Sequence, residues 1–199
     1  MKFIMYLLLP ILFLGCNDSD EIEDVDDTLS KQEVEDLQFL KEEEKLARDV
    51  YLYAYDLYGE KIFNNISNSE QSHMNSVSVI LEKYNVTDLS LEERGKFTNE
   101  DLQNLYNELI DLASNSLEDA LIAGATVEDL DINDINNFIG NTRFQDIGDM
   151  YALLNCGSRN HLRGFTGNLE NLEGSYEPQF LSLNEYNEII NGSHENCNN

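Results

Sequence analysis

The chain has 199 residues, with 39 Asp and Glu against 12 Lys and Arg, and a formal net charge of −27 at neutral pH. Such an acidic surface repels nucleic acid and anionic lipid head groups, which excludes nucleic-acid partners, and it favours cations instead. The length suits a single domain with a substantial core.

In chain order, Lys2 precedes an apolar run from Phe3 to Leu14, then Gly15 and Cys16, followed at once by Asn17, Asp18, Ser19 and Asp20. The run is shorter than the roughly 20 residues of a membrane span, so residues 1–15 read as an export signal. Leu-Gly-Cys after such a run resembles the bacterial lipobox, which implies lipidation of Cys16. Loss of residues 1–15 removes Lys2 and leaves 11 basic against 39 acidic residues, a charge of −28. Residues 16–29 read as a flexible acidic tether. Acidic residues straight after a lipidated cysteine also resemble a surface-export signal, so the expected location is the bacterial cell envelope, anchored by lipid to the outer membrane and facing outward.

The domain is expected over residues 30–190. A first helix should begin at Ser30, which has capping-box spacing with Glu33, and stop at Gly59. A second covers Lys61 to Tyr84, and residues 85–97 form a loop. A shorter amphipathic helix opens near Thr98 and Asp101 and ends near Ala113. A third long helix follows Ser116 and runs to Gly140, and a fourth covers Arg143 to Leu172. No strand alternation interrupts them. The fold class is therefore all-α: a ferritin-like four-helix bundle with an extra helix in the long crossover between the second and third long helices. Residues 191–199 read as a disordered tail, in which His194 is a loose surface residue. Cys156 in a helix and Cys197 in that tail are expected to stay unpaired, although an oxidising compartment permits a bridge.

Each long helix carries a seam in steps of three and four residues, the spacing that keeps side chains pointed at a bundle interior. The seams are Leu37, Leu40, Glu44, Ala47, Tyr51, Ala54, Tyr58; Phe63, Ile66, Glu70, His73, Val77, Ile80, Tyr84; Leu117, Leu121, Gly124, Glu128, Asp131, Ile135, Phe138; and Ile147, Tyr151, Leu154, Ser158, His161, Phe165. Polar residues interrupt every seam near its middle, and no Lys or Arg lies on any of them. Unpaired carboxylates in an apolar core are too costly to be incidental. Two divalent cations held by Glu44, Glu70, His73, Glu128, Asp131 and His161 account for them, and such ligands suit iron first, with Mn or Zn allowed. Glu70 and His73, three residues apart, share one helical face. A neighbouring seam on the first helix offers Glu43 in place of Glu44. Arg48 and Asp49 are candidates to support the ligands from behind, and Tyr51 and Tyr151 read as core aromatics.

Glu44-Lys-Leu-Ala47-Arg-Asp-Val-Tyr51 followed by Glu70-Gln-Ser-His73 resembles the first- and second-helix signatures of ferritins and rubrerythrins. More closely, the segments 42–51, 69–74 and Gly-Ser-Arg-Asn-His-Leu-Arg-Gly-Phe at 157–165 resemble DUF2202, a ferritin-like family, over about residues 36–190. The resemblance implies a di-metal centre, and Glu44 matches its first-helix signature. One departure is Ser158-x-x-His161, where ferritin-like di-iron proteins commonly supply a second Glu-x-x-His. Asp131 is the available substitute, and the short Ser158 side chain is expected to leave a coordination position open. The functions that follow are a di-iron oxidoreductase acting on oxygen or peroxide, as a ferroxidase or peroxide scavenger. The alternatives are a non-catalytic metal-binding or sensing module at the cell surface, or a structural helical bundle.

Overall fold

The computed structural model describes residues 28–197. The expected signal segment, the lipidation site at Cys16 and most of the acidic tether lie outside the described residues. Six helices and no strands are found among the described residues: α1 (Lys31–Tyr58), α2 (Lys61–Lys83), α3 (Glu100–Ala113), α4 (Leu117–Asn141), α5 (Gln145–Asn171) and α6 (Leu183–Ile190). None of them is long and apolar enough to cross a membrane.

The helix limits follow local chemistry. The Ser30 hydroxyl accepts from Glu33 N while the Glu33 carboxylate accepts from Ser30 N, a complete capping box that opens α1. Gly59 closes it in the left-handed region, at φ 68°, where a residue without Cβ is unstrained. Asn99, not Thr98, caps α3, its side chain accepting from Asp101 N and Leu102 N. Ser116 caps α4 through Asp119 N.

Two-residue and three-residue links join α1 to α2 and α4 to α5, which makes each pair a hairpin. The four long helices then close a ring, α1 packing on α2 and α4, and α5 on α4 and α2, while α3 covers α1 and α4. Two apolar clusters fill this ring. One holds Ala47, Tyr51, Ile66, Leu121 and Phe165, and the other holds Leu40, Val77, Ile135, Ile147 and Leu154. Chain direction from cluster to cluster alternates around the ring, so every adjacent pair of long helices is antiparallel. The mid-seam polar residues of all four helices fall between the two clusters, at one level.

The end of the chain differs from expectation. Residues 183–190 form α6, opened by a capping box of Ser182 and Glu185 that is plain in the sequence. The segment before it is fastened by buried Asp129 of α4, which accepts from the Tyr176 hydroxyl and from the backbone N–H of Gln179, Phe180 and Leu181. The tail beyond residue 190, expected to be disordered, is tied down as far as residue 197. Glu195 pairs with Arg159 and Arg163 of α5, which hold its carboxyl at about 2. Cys197, expected to be unpaired, forms a disulfide with Cys156. Spacing along the chain hides this pairing, because only the return of the tail along α5 brings the two Cα atoms to 5.7 Å. His194 is exposed, as expected.

Candidate metal centre

Between the apolar clusters, α1 contributes Glu44, α2 Glu70 and His73, α4 Glu128 and Asp131, and α5 His161. Glu44, Glu70 and Glu128 are at most 2 % exposed. They gather into two sets, Glu44–Glu70–His73 and Glu70–Glu128–His161, and within each set one potential ligand atom per residue lies within 4.8 Å of the others. Glu70 belongs to both. Its Oε2 stands 2.8 Å from His73 Nδ1 and its Oε1 stands 2.8 Å from His161 Nδ1. Glu44 Oε2 completes the first set at 3.1 Å from His73 Nδ1, and Glu128 Oε2 the second at 3.5 Å from His161 Nδ1.

These short contacts are not all hydrogen bonds. Glu70 Oε1 and His161 Nδ1 approach to 2.8 Å, yet neither has a hydrogen-bond partner, and Glu44 Oε1 and Asp131 Oδ1 are also buried without one. Buried polar atoms are normally paired. The partnerless oxygens of Glu44 and Glu70 and the Nδ1 of His161 belong to the two sets, and these are the groups that could hold a cation.

Electrostatics couples the same groups. Burial pushes the His161 imidazole down, but Glu70 and Glu128 outweigh it and lift the group to about 10. His73 is raised in the same way against burial by Glu44 and Glu70. Burial lifts Glu44 to about 7 despite His73, and burial followed by Glu44 and Glu128 lifts Asp131. Burial opposes ionisation of Glu70 as well, yet the two imidazolium groups hold it well below the carboxylate range. Protons on the two histidines thus offset part of the buried carboxylate charge.

Several neighbours act on this cluster. The Ser69 hydroxyl lies 3.0 Å from His161 Nε2, so a proton on Nε2 leaves Nδ1 free to ligate. The Tyr51 hydroxyl, expected only to fill the core, donates to Glu128 Oε1 at 2.5 Å. Gly157 lets α5 approach His73, since a Cβ there would meet His73 Nε2 at 2.6 Å and Cε1 at 2.7 Å. Sequence reasoning missed Ser69 and Gly157, although Ser69 abuts Glu70 and Gly157 opens a quoted motif.

Other assignments shift. Asp131 stands beside both sets but in neither, and its Oδ2 is hydrogen bonded to Ser158 Oγ, which also reaches Leu154 O. Ser158 therefore has an engaged hydroxyl and no exposed surface, where an open coordination position was expected. Glu44, not Glu43, faces His73, while Glu43 turns toward Asp134 and Asp131. Arg48 and Asp49 do not reach the ligands. Arg48 bonds Asp49 and Gln71 of α2, and Asp49 receives Lys45 Nζ and Gly95 N, so Asp49 fastens the loop before α3 and Arg48 links α1 to α2. Tyr151 packs on Phe138 in the second apolar cluster.

An all-helical chain with this centre matches a known domain over most of its length. Residues 33–193 match DUF2202, described as an uncharacterized protein domain, and the chain belongs to that family. It is 46 % identical over 168 residues to the uncharacterized protein MJ0754 of Methanocaldococcus jannaschii, covering 84 % of this chain and 91 % of the relative. The crystal structure of that hypothetical protein superposes with a TM-score of 0.82, covering 84 % of this chain and 96 % of the other.

Proposed function

We propose that this protein is a metal-binding, ferritin-like four-helix bundle whose centre takes two divalent ions, iron first with Mn or Zn as alternatives, and reacts with oxygen or peroxide. The observation that carries the reading is Glu70, whose two oxygens each face the nitrogen of a different histidine within a different ligand set. The donor set fits: carboxylates and imidazoles suit first-row divalent ions, and the partnerless oxygens and Nδ1 supply unused lone pairs.

Glu44 and His73 would hold one ion, Glu128 and His161 the other, and Glu70 both. When bound as ferrous iron, the pair would supply the electrons that reduce oxygen or peroxide, in a ferroxidase or scavenging reaction. Ser69 orients the His161 ring, Tyr51 holds Glu128, and Asp131 with Ser158 lies alongside as the nearest further carboxylate. Apolar layers on either side exclude bulk water and strengthen each charge interaction within. Lipidation at Cys16, with attachment to the outer membrane of the cell envelope, belongs to the same proposal and rests on the apolar run and Leu-Gly-Cys alone.

The test is metal analysis of protein purified from its own host and of ion-free protein resupplied with ferrous iron or Mn, followed by oxidant consumption. About two ions per chain, a raised melting temperature and turnover with oxygen or peroxide are expected. Two ions without turnover would favour a metal-holding or sensing module. Protein that stays ion-free when supplied with either metal would show a structural bundle and defeat the proposal.

A further inference from the structure

Glu43 is 1 % exposed, and neither of its carboxylate oxygens has a hydrogen-bond donor. Burial first, and then the charges of Asp131, Asp134 and Glu44, all negative, act against its ionisation, and Asp134 lies within hydrogen-bonding reach of it. Asp131 and Asp134, three residues apart on α4, share one face, and Asp131 Oδ1 is likewise buried without a partner. Asp134 accepts from Asn133 Nδ2 at 3.0 Å and otherwise meets the Glu43 carboxyl.

Asp134 is half-buried and lines an open cavity of about 500 Å³ that no Lys or Arg lines among the described residues. The other acids of its wall are engaged: Glu35 with Lys31, Asp36 with Gln32 and Asn141, and Glu42 with the backbone N–H of Thr98 and Asn99. Asp134 is thus the wall acid that continues inward, to Glu43 and then to the level of Glu44. Two neighbouring carboxyl groups at the inner end of an acidic, low-dielectric cleft offer oxygens to a cation that displaces the proton between them.

We propose that Glu43 and Asp134, with Asp131 behind them, form a further divalent-cation position at the foot of this cavity, through which ions pass from solvent to the ligands around Glu70. The position stands on its own residues, and its delivery role rests on the function proposed above.

Crystals of the full chain soaked in Mn²⁺ and read by anomalous diffraction test the position, and stopped-flow uptake of Co²⁺ followed by its absorption tests the delivery. Wild type should show density between Glu43 and Asp134 as well as at the two inner sets. Asp134→Asn and the isosteric Glu43→Gln should lose the outer density, keep the inner pair, and fill it about tenfold more slowly or worse, the scale of electrostatic focusing. Unchanged melting in Asp134→Asn separates this from misfolding. Density at the inner sets alone, with uptake unaltered in both variants, would mean that Glu43 and Asp134 merely share a proton. That result overturns the inference and leaves the proposed function standing. Density at the outer position alone supports the cation position while overturning both the inner pair and the delivery role. Metal at neither place overturns both proposals.

Discussion

Replacing Glu70 by Gln keeps its shape and removes the charge that both ligand sets share. In ion-free protein, lifting His161 from 6.5 to about 10 corresponds to roughly 5 kcal/mol of preference for the imidazolium, at about 1.4 kcal/mol per tenfold. The charge of Glu70 is the largest single cause of that lift, and the charge of Glu128 is the next. Glu70→Gln should therefore bring His161 down from about 10, and His73 should fall with it, because Glu70 also acts there. Glu44→Gln should move His73 alone, and Glu128→Gln should move His161 alone. Metal binding should show the same pattern. Loss of one shared ligand should weaken both ions by ~100-fold or more, about 2.7 kcal/mol each, whereas Glu44→Gln and Glu128→Gln should each weaken one. NMR titration of the imidazoles in ion-free protein and metal content after gel filtration measure the two effects. A Glu70→Gln variant that retains one ion at wild-type affinity, or moves only one histidine, would refute the idea of a shared carboxylate.

The pH dependence has a definite sign. The raised His161 contributes stability that is complete below its unfolded value of 6.5 and is lost as pH rises through about 10. Glu44, raised from 4.5 to about 7, loses stability in the same direction over that lower interval, whereas depressed Glu70 loses it only as pH falls below 4.5. Ions need the deprotonated ligands, so the gain in melting temperature on adding Mn²⁺ should grow from about pH 6 to about pH 9.5; a gain that shrinks over this range would contradict the assignment of the histidines as ligands. Gly157→Ala places a methyl against His73 and should cost about 1–3 kcal/mol, together with tighter-than-average damage to the ion held by Glu44 and His73, so thermal melting and metal counts should both fall. Cys156→Ser opens a link between residues 41 apart and should cost about 4 kcal/mol, read as a lower denaturation midpoint, which an unchanged midpoint would disprove.

The sequence by itself determined what depends on near neighbours. Ser30, Gly59 and Ser116 set helix ends because caps act within one turn, and the seam periodicity put carboxylates and imidazoles at the middle of four helices. The Ser182–Glu185 box carried the same kind of signal for α6. Only the tertiary structure decided what depends on rotation and on distant segments. Glu43 and Glu44 differ by about 100° around one helix, and packing against α2 and α4 chose which of them meets His73. The sharing of Glu70, the donation by Tyr51 and the diversion of Ser158 to Asp131 each join different helices, so no spacing within one helix encodes them. Asp49, near Glu44 in sequence, serves the loop before α3, and Arg48 reaches Gln71 of α2 instead of the centre. The Cys156–Cys197 bridge and the grip of Asp129 on residues 176–181 likewise follow from the path of the chain after α5, which a local pattern of polar residues reads as a free end.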